Sequence, residues 1–193
     1  MFPDLSSPDL IDSDTDYAWE LATMFPAQGE WSEDAYLDLT DGTNRRIELV
    51  DGRLEFLPMP TELHQALAEY LYHALRGFVL PGKLGKVAYG SLRVRIRERQ
   101  VREPDVLYVQ RENYHLRANR NWSGADLVME VVSPDAKDKK RDYEDKLIDY
   151  AEVGIAEYWI VDPQENVVVV HHLQDSKYEE LGAHRAGEKG AST

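Results

Sequence analysis

Pro104-Asp105-Val106-Leu107-Tyr108-Val109 and, further along the chain, Asp126-Leu127-Val128-Met129-Glu130-Val131-Val132 are the two stretches that decide the fold. Each is a short run of β-branched and large apolar residues, which is typical of a buried strand. Each also carries an acid that a buried strand does not need, Asp105 in the first and Glu130 in the second. Because a carboxylate is rarely buried unless it is paired or bound to a metal, this pair indicates a site for a hard cation. The alternative is that Asp105 caps a turn and Glu130 pairs with an arginine.

Length and composition predict one soluble domain. The chain has 193 residues, which is enough for a sheet covered by helices. It contains no cysteine, which excludes disulfides, thiolate zinc sites and a cysteine nucleophile. Its apolar runs are too short to span a bilayer, and its acidic start, Phe2-Pro3-Asp4, lacks the features of a secretory signal. We therefore expect a cytoplasmic protein.

The net charge of −14 disfavours a protein that coats nucleic acid, because phosphates would be repelled. The charge is unevenly distributed along the chain. Residues 1–60 hold 14 acids and 3 bases, residues 61–129 hold 7 acids and 11 bases, and residues 130–193 hold 15 acids and 8 bases. The segment that contains Asp105 is therefore the basic one, which is compatible with a local site for nucleic acid.

Local signals predict the domain limits and the main elements. We expect a mobile acidic arm over residues 1–30, a folded domain over 31–181 and a disordered tail over 182–193. Within the domain, the strongest hairpin signal is Asp51-Gly52. Ser32 and Thr61 are candidate N-caps, Thr61 for an amphipathic helix that ends at Pro81-Gly82, and a further helix is expected over residues 139–153. Strands interleaved with two main helices indicate an α/β fold with a mixed sheet.

Six motifs occur in the order that one family pattern requires. Over residues 30–185 the sequence resembles the bacterial family of restriction-endonuclease-like proteins, a branch of the PD-(D/E)XK nuclease superfamily. The resemblance implies a mixed β-sheet core flanked by two main helices, preceded by an N-terminal arm and a hairpin. The motifs are Ile47-Glu48-Leu49-Val50-Asp51-Gly52, Pro60-Thr61-Glu62-Leu63-His64-Gln65, Glu103-Pro104-Asp105, Glu130-Val131-Val132-Ser133-Pro134, Asp145-Lys146 through Tyr150 and Gly154, and Glu157-Tyr158-Trp159-Ile160-Val161-Asp162-Pro163.

The resemblance also implies a metal site. Asp105 and Glu130 match the two metal-binding acids, and the main-chain carbonyl of Val131 would be a further ligand. The superfamily's lysine should stand two residues after the second acid, where this chain has Val132. Either Lys146, on the following helix, supplies the cation instead, or the site has lost hydrolysis.

Glu48 and His64 complete the candidate catalytic set. On its predicted strand, the side chain of Glu48 points away from those of its apolar neighbours, which a solvent-facing residue would also do. The resemblance places it in the cluster. His64, at a helix start, would bind the metal, contact phosphate or only cap the helix. Lys146 also has an alternative role, a surface ion pair with Asp142 four residues earlier.

Two further groups of basic residues were considered. Arg93, Arg95 and Arg97 alternate with apolar residues and form a candidate stripe for the phosphate backbone. The commoner explanation is a charged outer face of a strand. His171 and His172 are adjacent on a predicted strand, so they cannot both face one metal, and we expect them at the surface.

The leading hypothesis is an endonuclease that hydrolyses phosphodiester bonds of DNA with Mg²⁺, or with Mn²⁺ in its place. One alternative is a catalytically inactive nuclease-fold protein that acts as a protein-interaction or regulatory module, which the strong acidity favours. A phosphoesterase acting on a small nucleotide is a third. The catalytic set of the leading hypothesis comprises Asp105, Glu130, Lys146, Glu48 and His64, with Asp105, Glu130 and Val131 as the metal ligands.

The C-terminal segment favours association. The family usually continues past the strand at residues 178–180 into a further apolar segment, whereas residues 182–193 are polar here. Either the terminus is shortened, or another subunit covers the exposed edge strand. We expect a homodimer.

Overall fold

The computed structural model describes residues 23–90 and 92–190, so most of the predicted arm and residues 191–193 of the predicted tail lie outside it. No helix within the described part combines the length and apolar character needed to cross a membrane. The helices are α1 (Glu33–Asp41), α2 (Glu62–Gly82), α3 (Ala136–Lys140) and α4 (Lys146–Glu152), with a 3₁₀ helix over Arg111–Leu116 and a π-helical turn over Arg141–Asp145. The strands are β1 (Ile47–Val50), β2 (Arg53–Phe56), β3 (Gly85–Tyr89), β4 (Val94–Arg97), β5 (Gln100–Arg102), β6 (Val106–Gln110), β7 (Leu127–Val131), β8 (Glu157–Asp162), β9 (Val167–Gln174) and β10 (Lys177–His184).

The strands form two sheets. The smaller has the order β2-β1-β5-β4, and the larger has the order β10-β9-β8-β7-β6-β3. In the larger sheet β7 and β8 run parallel, whereas the neighbouring pairs are antiparallel. The α/β fold with a mixed sheet is therefore confirmed.

The predicted caps of the first two helices are confirmed. The Ser32 hydroxyl accepts the N–H of Ala35 at the start of α1, and the Thr61 hydroxyl accepts the N–H of His64 at the start of α2, each at 3.2 Å. These bonds satisfy N–H groups that have no partner within the helix. The cap on α2 fixes His64 in its first turn, and one face of the helix then packs on β3, β6 and β7.

The predicted helix over residues 139–153 has three parts. It begins at Ala136, earlier than predicted, because Asp135 caps it by accepting the N–H of Lys137 at 2.8 Å. The π-helical turn Arg141–Asp145 separates α3 from α4, and such turns occur frequently at functional sites. Gly154 follows the helix with φ +79°, which is the conformation expected of the C′ residue.

The boundary predicted at residue 182 is wrong. Strand β10 continues to His184, and residues 182–184 pair with Val168 to Val170 of β9. The strand pattern is interrupted by a bulge between Glu180 and Gly182, which hides the continuation in the sequence. Between β6 and β7 the chain first forms the 3₁₀ helix.

The prediction of a surface position for His171 is also wrong. The side chain is buried, with its ring centroid 6.2 Å from that of Tyr158 and 6.1 Å from that of Tyr178. Burial lowers the pKa of His171, so the ring behaves as a neutral aromatic part of the core. His172 is partly exposed.

Candidate metal centre

Asp105 and Glu130 lie at the point where β6 and β7 separate. The strand register pairs Val106 with Met129, so one further step places Asp105 opposite Glu130. Residues opposite each other on antiparallel strands point to the same face. The N–H of Val131 donates to Asp105 Oδ2 at 2.9 Å, which fixes the first acid against the strand that carries the second. Both carboxylates are buried.

Lys146 lies at the start of α4 and contacts Glu130 directly. Its Nζ is 2.8 Å from Glu130 Oε1 and 3.0 Å from Asp142 Oδ1. The hydroxyl of Tyr150, one turn later on α4, donates to the same Glu130 oxygen at 2.5 Å. The ion pair between Asp142 and Lys146 therefore exists, but it is buried, and only 1% of Lys146 is exposed. This excludes the surface role considered for Lys146.

Glu48 reaches the same cluster from the smaller sheet. Its Oε2 lies 2.8 Å from Arg102 Nη1, and its Oε1 accepts the N–H of Glu103 at 3.0 Å. The same Oε1 is 3.9 Å from Lys146 Nζ. Glu48 is fully buried, so it does not point to solvent, and Lys146 links it to Glu130.

His64 and Arg46 surround Asp105 on its other side. Arg46 Nη2 is 3.2 Å from Asp105 Oδ1, and His64 Nε2 is 3.2 Å from Asp105 Oδ2. A carboxylate offers about four lone-pair directions, and these two contacts together with the Val131 N–H use three of them. Arg46 and His64 therefore balance the charge of Asp105 without saturating its oxygens.

The surroundings shift the pKa values of the acids in opposite directions. Burial raises the pKa of Glu130 to about 7, with Lys146 opposing the rise and Asp105 adding to it. Burial would also raise the pKa of Glu48, but Lys146 and Arg102 outweigh it and lower the pKa to about 2. For Asp105, burial is outweighed by the hydrogen bond and charge of His64, so its pKa is lowered. Neighbouring carboxylates whose pKa values diverge are a feature of acid–base sites.

The acids face a narrow polar pocket, which has about 10 Å³ of room for a water-sized particle, roughly what one water needs. Within the described residues, no group of three or more His, Cys, Asp or Glu side chains forms a complete set of metal ligands. Two carboxylates and a carbonyl fit Mg²⁺, because that ion takes one or two carboxylates and retains waters. The lining residues are Arg46, Leu57, Pro58, Pro60, His64, Asp105, Glu130, Val131, Ser133, Arg141, Asp142 and Lys146.

A larger cleft of about 450 Å³ adjoins this pocket. The two share Arg46, Pro60, His64 and Asp105, so they form one continuous recess. The rest of the cleft is lined by Asn44, Met59, Gln65, Ala68, Glu69, Tyr89 and Gly90.

The arginine stripe predicted on β4 does not offer free charges to phosphate. Each of the three guanidinium groups is paired with an acid from another element, which joins β4 to α1 and to the β1–β2 turn. The distance from Arg93 to Asp41 is 2.6 Å, and that from Arg95 to Glu33 is also 2.6 Å. The distance from Arg97 to Asp51 is 2.7 Å. The sequence could not show these pairs, because the partners are far away along the chain.

Several members of the cluster were not identified from the sequence. Tyr150 appears in the sequence only as part of a family motif, although a buried tyrosine hydroxyl usually needs a partner. Arg102 directly precedes the Glu103-Pro104-Asp105 motif, and its alternation with Val101 along a strand was the available signal. Arg46 had no comparable signal.

The fold is that of the restriction-endonuclease-like class. It matches a crystal structure described as a putative nuclease of DUF820 from Anabaena variabilis, with a TM-score of 0.62 and 21% sequence identity, over 81% of this chain and 84% of that one. The chain belongs to the Uma2 family, described as "putative restriction endonuclease", which matches residues 33–192. No curated protein matches the chain.

Proposed function

We propose that the protein is a Mg²⁺-dependent endonuclease that hydrolyses phosphodiester bonds of DNA. The observation that carries this proposal is the buried contact of 2.8 Å between Lys146 and Glu130, beside Asp105 at the fork of two strands. A lysine is costly to bury unless its charge is used or balanced. Membership of a family described as restriction endonucleases supports the same activity.

Each residue of the cluster has a distinct part in the proposed reaction. Asp105, Glu130 and the carbonyl of Val131 would hold Mg²⁺, which polarises the scissile phosphate and lowers the pKa of a bound water. Lys146 places a positive charge where negative charge develops on the phosphate. Glu48, with its lowered pKa, keeps that lysine charged and oriented.

His64 is a positioning residue in this proposal. Burial would lower its pKa, but the hydrogen bond and charge of Asp105 outweigh burial and raise it. Its Nε2 lies 3.2 Å from Asp105 Oδ2, so this nitrogen faces the first acid. His64 therefore orients Asp105 as a partner of the proposed ligand.

A second candidate function is an inactive nuclease-fold interaction module. The acids of the cluster already have basic partners in Arg46, Arg102, His64 and Lys146, which would let such a module keep the cluster without a metal. We propose a homodimer for either function.

Metal binding and its dependence on pH test the proposal. Mn²⁺ should raise the thermal unfolding temperature, and its affinity should increase about tenfold between pH 6 and pH 8, because Glu130 must lose its proton to bind. Plasmid DNA should be cleaved with Mg²⁺ and left intact with EDTA. An absence of any Mn²⁺ effect at pH 8 would overturn the nuclease proposal. Binding without cleavage of DNA or RNA would favour the inactive module.

A further inference from the structure

The cleft beside the metal pocket exposes apolar side chains that do not cover a core. Tyr89 is 50% exposed, and Met59 is 84% exposed. The Tyr89 ring stacks on Tyr72, with 4.3 Å between ring centroids and 27° between the planes. The Tyr89 ring is therefore held in place while half of its surface remains open. A flat aromatic face of this kind binds nucleobases regardless of their sequence.

The polar side chains of the cleft suit the edge of a base. Asn44 and Gln65 line it and are exposed. A carboxamide carries both a donor and an acceptor, which matches the hydrogen-bonding edge of a base. The cleft volume of about 450 Å³ is within the range of small-molecule sites.

The charge around the cleft does not suit duplex DNA. Arg46 and His64 are opposed by Asp105 and Glu69 on the same walls. The arginines of β4 are already paired, and the net charge of the chain is −14. Duplex binding draws on several phosphate contacts from cations, whereas one unpaired nucleotide brings fewer phosphates and adds a stacking contact.

We infer that this cleft binds one unpaired nucleobase by stacking on Tyr89, so that the substrate is single-stranded nucleic acid or an unpaired segment of it. The inference rests on the proposed nuclease function for the adjoining phosphate. A nucleotide whose base occupies the cleft has its phosphate next to Asp105, because the cleft and the metal pocket share that residue.

Binding of a fluorescent single-stranded oligonucleotide, measured by anisotropy with Ca²⁺, tests the inference without hydrolysis. Tyr89→Ala should weaken binding about 5- to 150-fold, the cost of losing one stacked base. Tyr89→Phe should retain it, because stacking is preserved. Tyr114→Ala, at an exposed tyrosine outside the cleft, is the matched control. The parent should bind a duplex of the same sequence more weakly.

Equal affinity of Tyr89→Ala and the parent, or tighter binding of the duplex, would overturn the inference. Its failure is distinguishable from failure of the nuclease proposal. Tyr89-dependent binding without cleavage by the parent would support the nucleobase site and reject hydrolysis. Cleavage with binding that does not depend on Tyr89 would support hydrolysis and reject the nucleobase site. Met59→Ala, at the other exposed apolar side chain of the cleft, should also weaken binding of the single-stranded oligonucleotide.

A separate feature, the outer face of α2, carries a second inference. Leu63, Tyr70 and Phe78 are 56%, 69% and 72% exposed, respectively. Ala66 and Ala74 lie between them at helical spacing, so these residues form one apolar stripe. An outward helix face is normally polar, and exposed apolar patches mark interaction sites.

The charges beside this stripe reverse along the helix. Glu62 and Glu69 lie in the N-terminal half, and Arg76 and Lys83 lie at the C-terminal end. Glu69 also lies 3.7 Å from His73 of the same helix. Two antiparallel copies of α2 would bring opposite charges together.

We propose that a second copy of the chain packs antiparallel on this face. With the two-fold axis level with residue 72, Tyr70 meets Ala74 of the second copy, and Phe78 meets its Ala66. Large side chains thus meet small ones, and Glu69 faces Arg76 of the second copy.

The edge of β10, which the sequence indicated as the interface, is less suited. It carries Lys177, Glu179 and Glu180 and a bulge after Glu180. Charges and bulges are the usual means by which edge strands avoid pairing.

Sedimentation of charge-reversed variants tests the α2 interface. Glu69→Arg and Arg76→Glu should each raise the dimer dissociation constant at least tenfold, because like charges then meet. A mixture of the two variants should restore the dimer, since every 69–76 contact again joins opposite charges. Glu144→Arg, at an exposed acid on the π-helical turn, is the control. A monomeric parent, or a mixture that does not recover, would overturn the proposal.

Discussion

Replacing Lys146 with methionine should lower the free energy of unfolding by about 3–5 kcal/mol, the cost of removing one partner from a buried ion pair. Methionine keeps much of the length of lysine but leaves Glu130 without its cation and Asp142 with Arg141 alone. The loss should be larger at pH 8 than at pH 5. At pH 8 Glu130 is ionised in the unfolded chain, so folding must either bury that charge without Lys146 or add a proton to it. Its pKa in the folded protein, already raised to about 7, rises further without Lys146. An acid with a raised pKa costs stability as pH increases.

Urea denaturation at both pH values measures this effect. Lys140→Met is the matched control, because Lys140 also pairs with an acid four residues away but is 61% exposed. We expect no measurable change there, as for most surface ion pairs. The double variant Lys146→Met/Glu130→Gln should be more stable at pH 8 than the single variant. Equal stability of Lys146→Met and Lys140→Met would contradict the buried-pair account.

The second large effect is expected for Asp105→Asn, which should abolish the Mn²⁺-induced rise in unfolding temperature. Hydrolysis should fall at least about 100-fold, since changes even to the partners of metal ligands cost 10- to 100-fold. Asparagine preserves the size of the side chain and removes the charge that the metal requires.

The readout is the difference between the unfolding temperatures with and without Mn²⁺, because the variant should also be less stable than the parent when no metal is added. His64 and Arg46 lower the pKa of Asp105, so its charge stabilises the fold at neutral pH. Asp41→Asn is the control, because Asp41 is an arginine-paired acid outside the cluster. A full Mn²⁺ effect in Asp105→Asn would remove this residue from the proposed ligands.

Much of the fold was predictable because its signals are local. Ser32, Thr61 and Asp51-Gly52 act within a few residues, and the structure confirms the caps and the hairpin. The composition around Asp105 and Glu130 likewise predicted two buried strands, β6 and β7. The extension of β10 could not be read, because a bulge breaks the strand pattern there.

The candidate cluster was less predictable because its contacts are distant in sequence. Strand alternation alone could not say whether Glu48 faces solvent or the interior, since that depends on Arg102 in another strand. The charge of Arg93 was visible in the sequence, but its partner Asp41 was not. The family resemblance pointed to Lys146, whereas its contact with Glu130 depends on how the helix crosses the sheet.

The cluster also joins the two sheets of the protein. Glu48 belongs to the smaller sheet, Glu130 belongs to the larger one, and Lys146 lies between them. A lineage that stopped cutting nucleic acid would therefore still be under selection to keep these three residues, because the architecture would loosen without them.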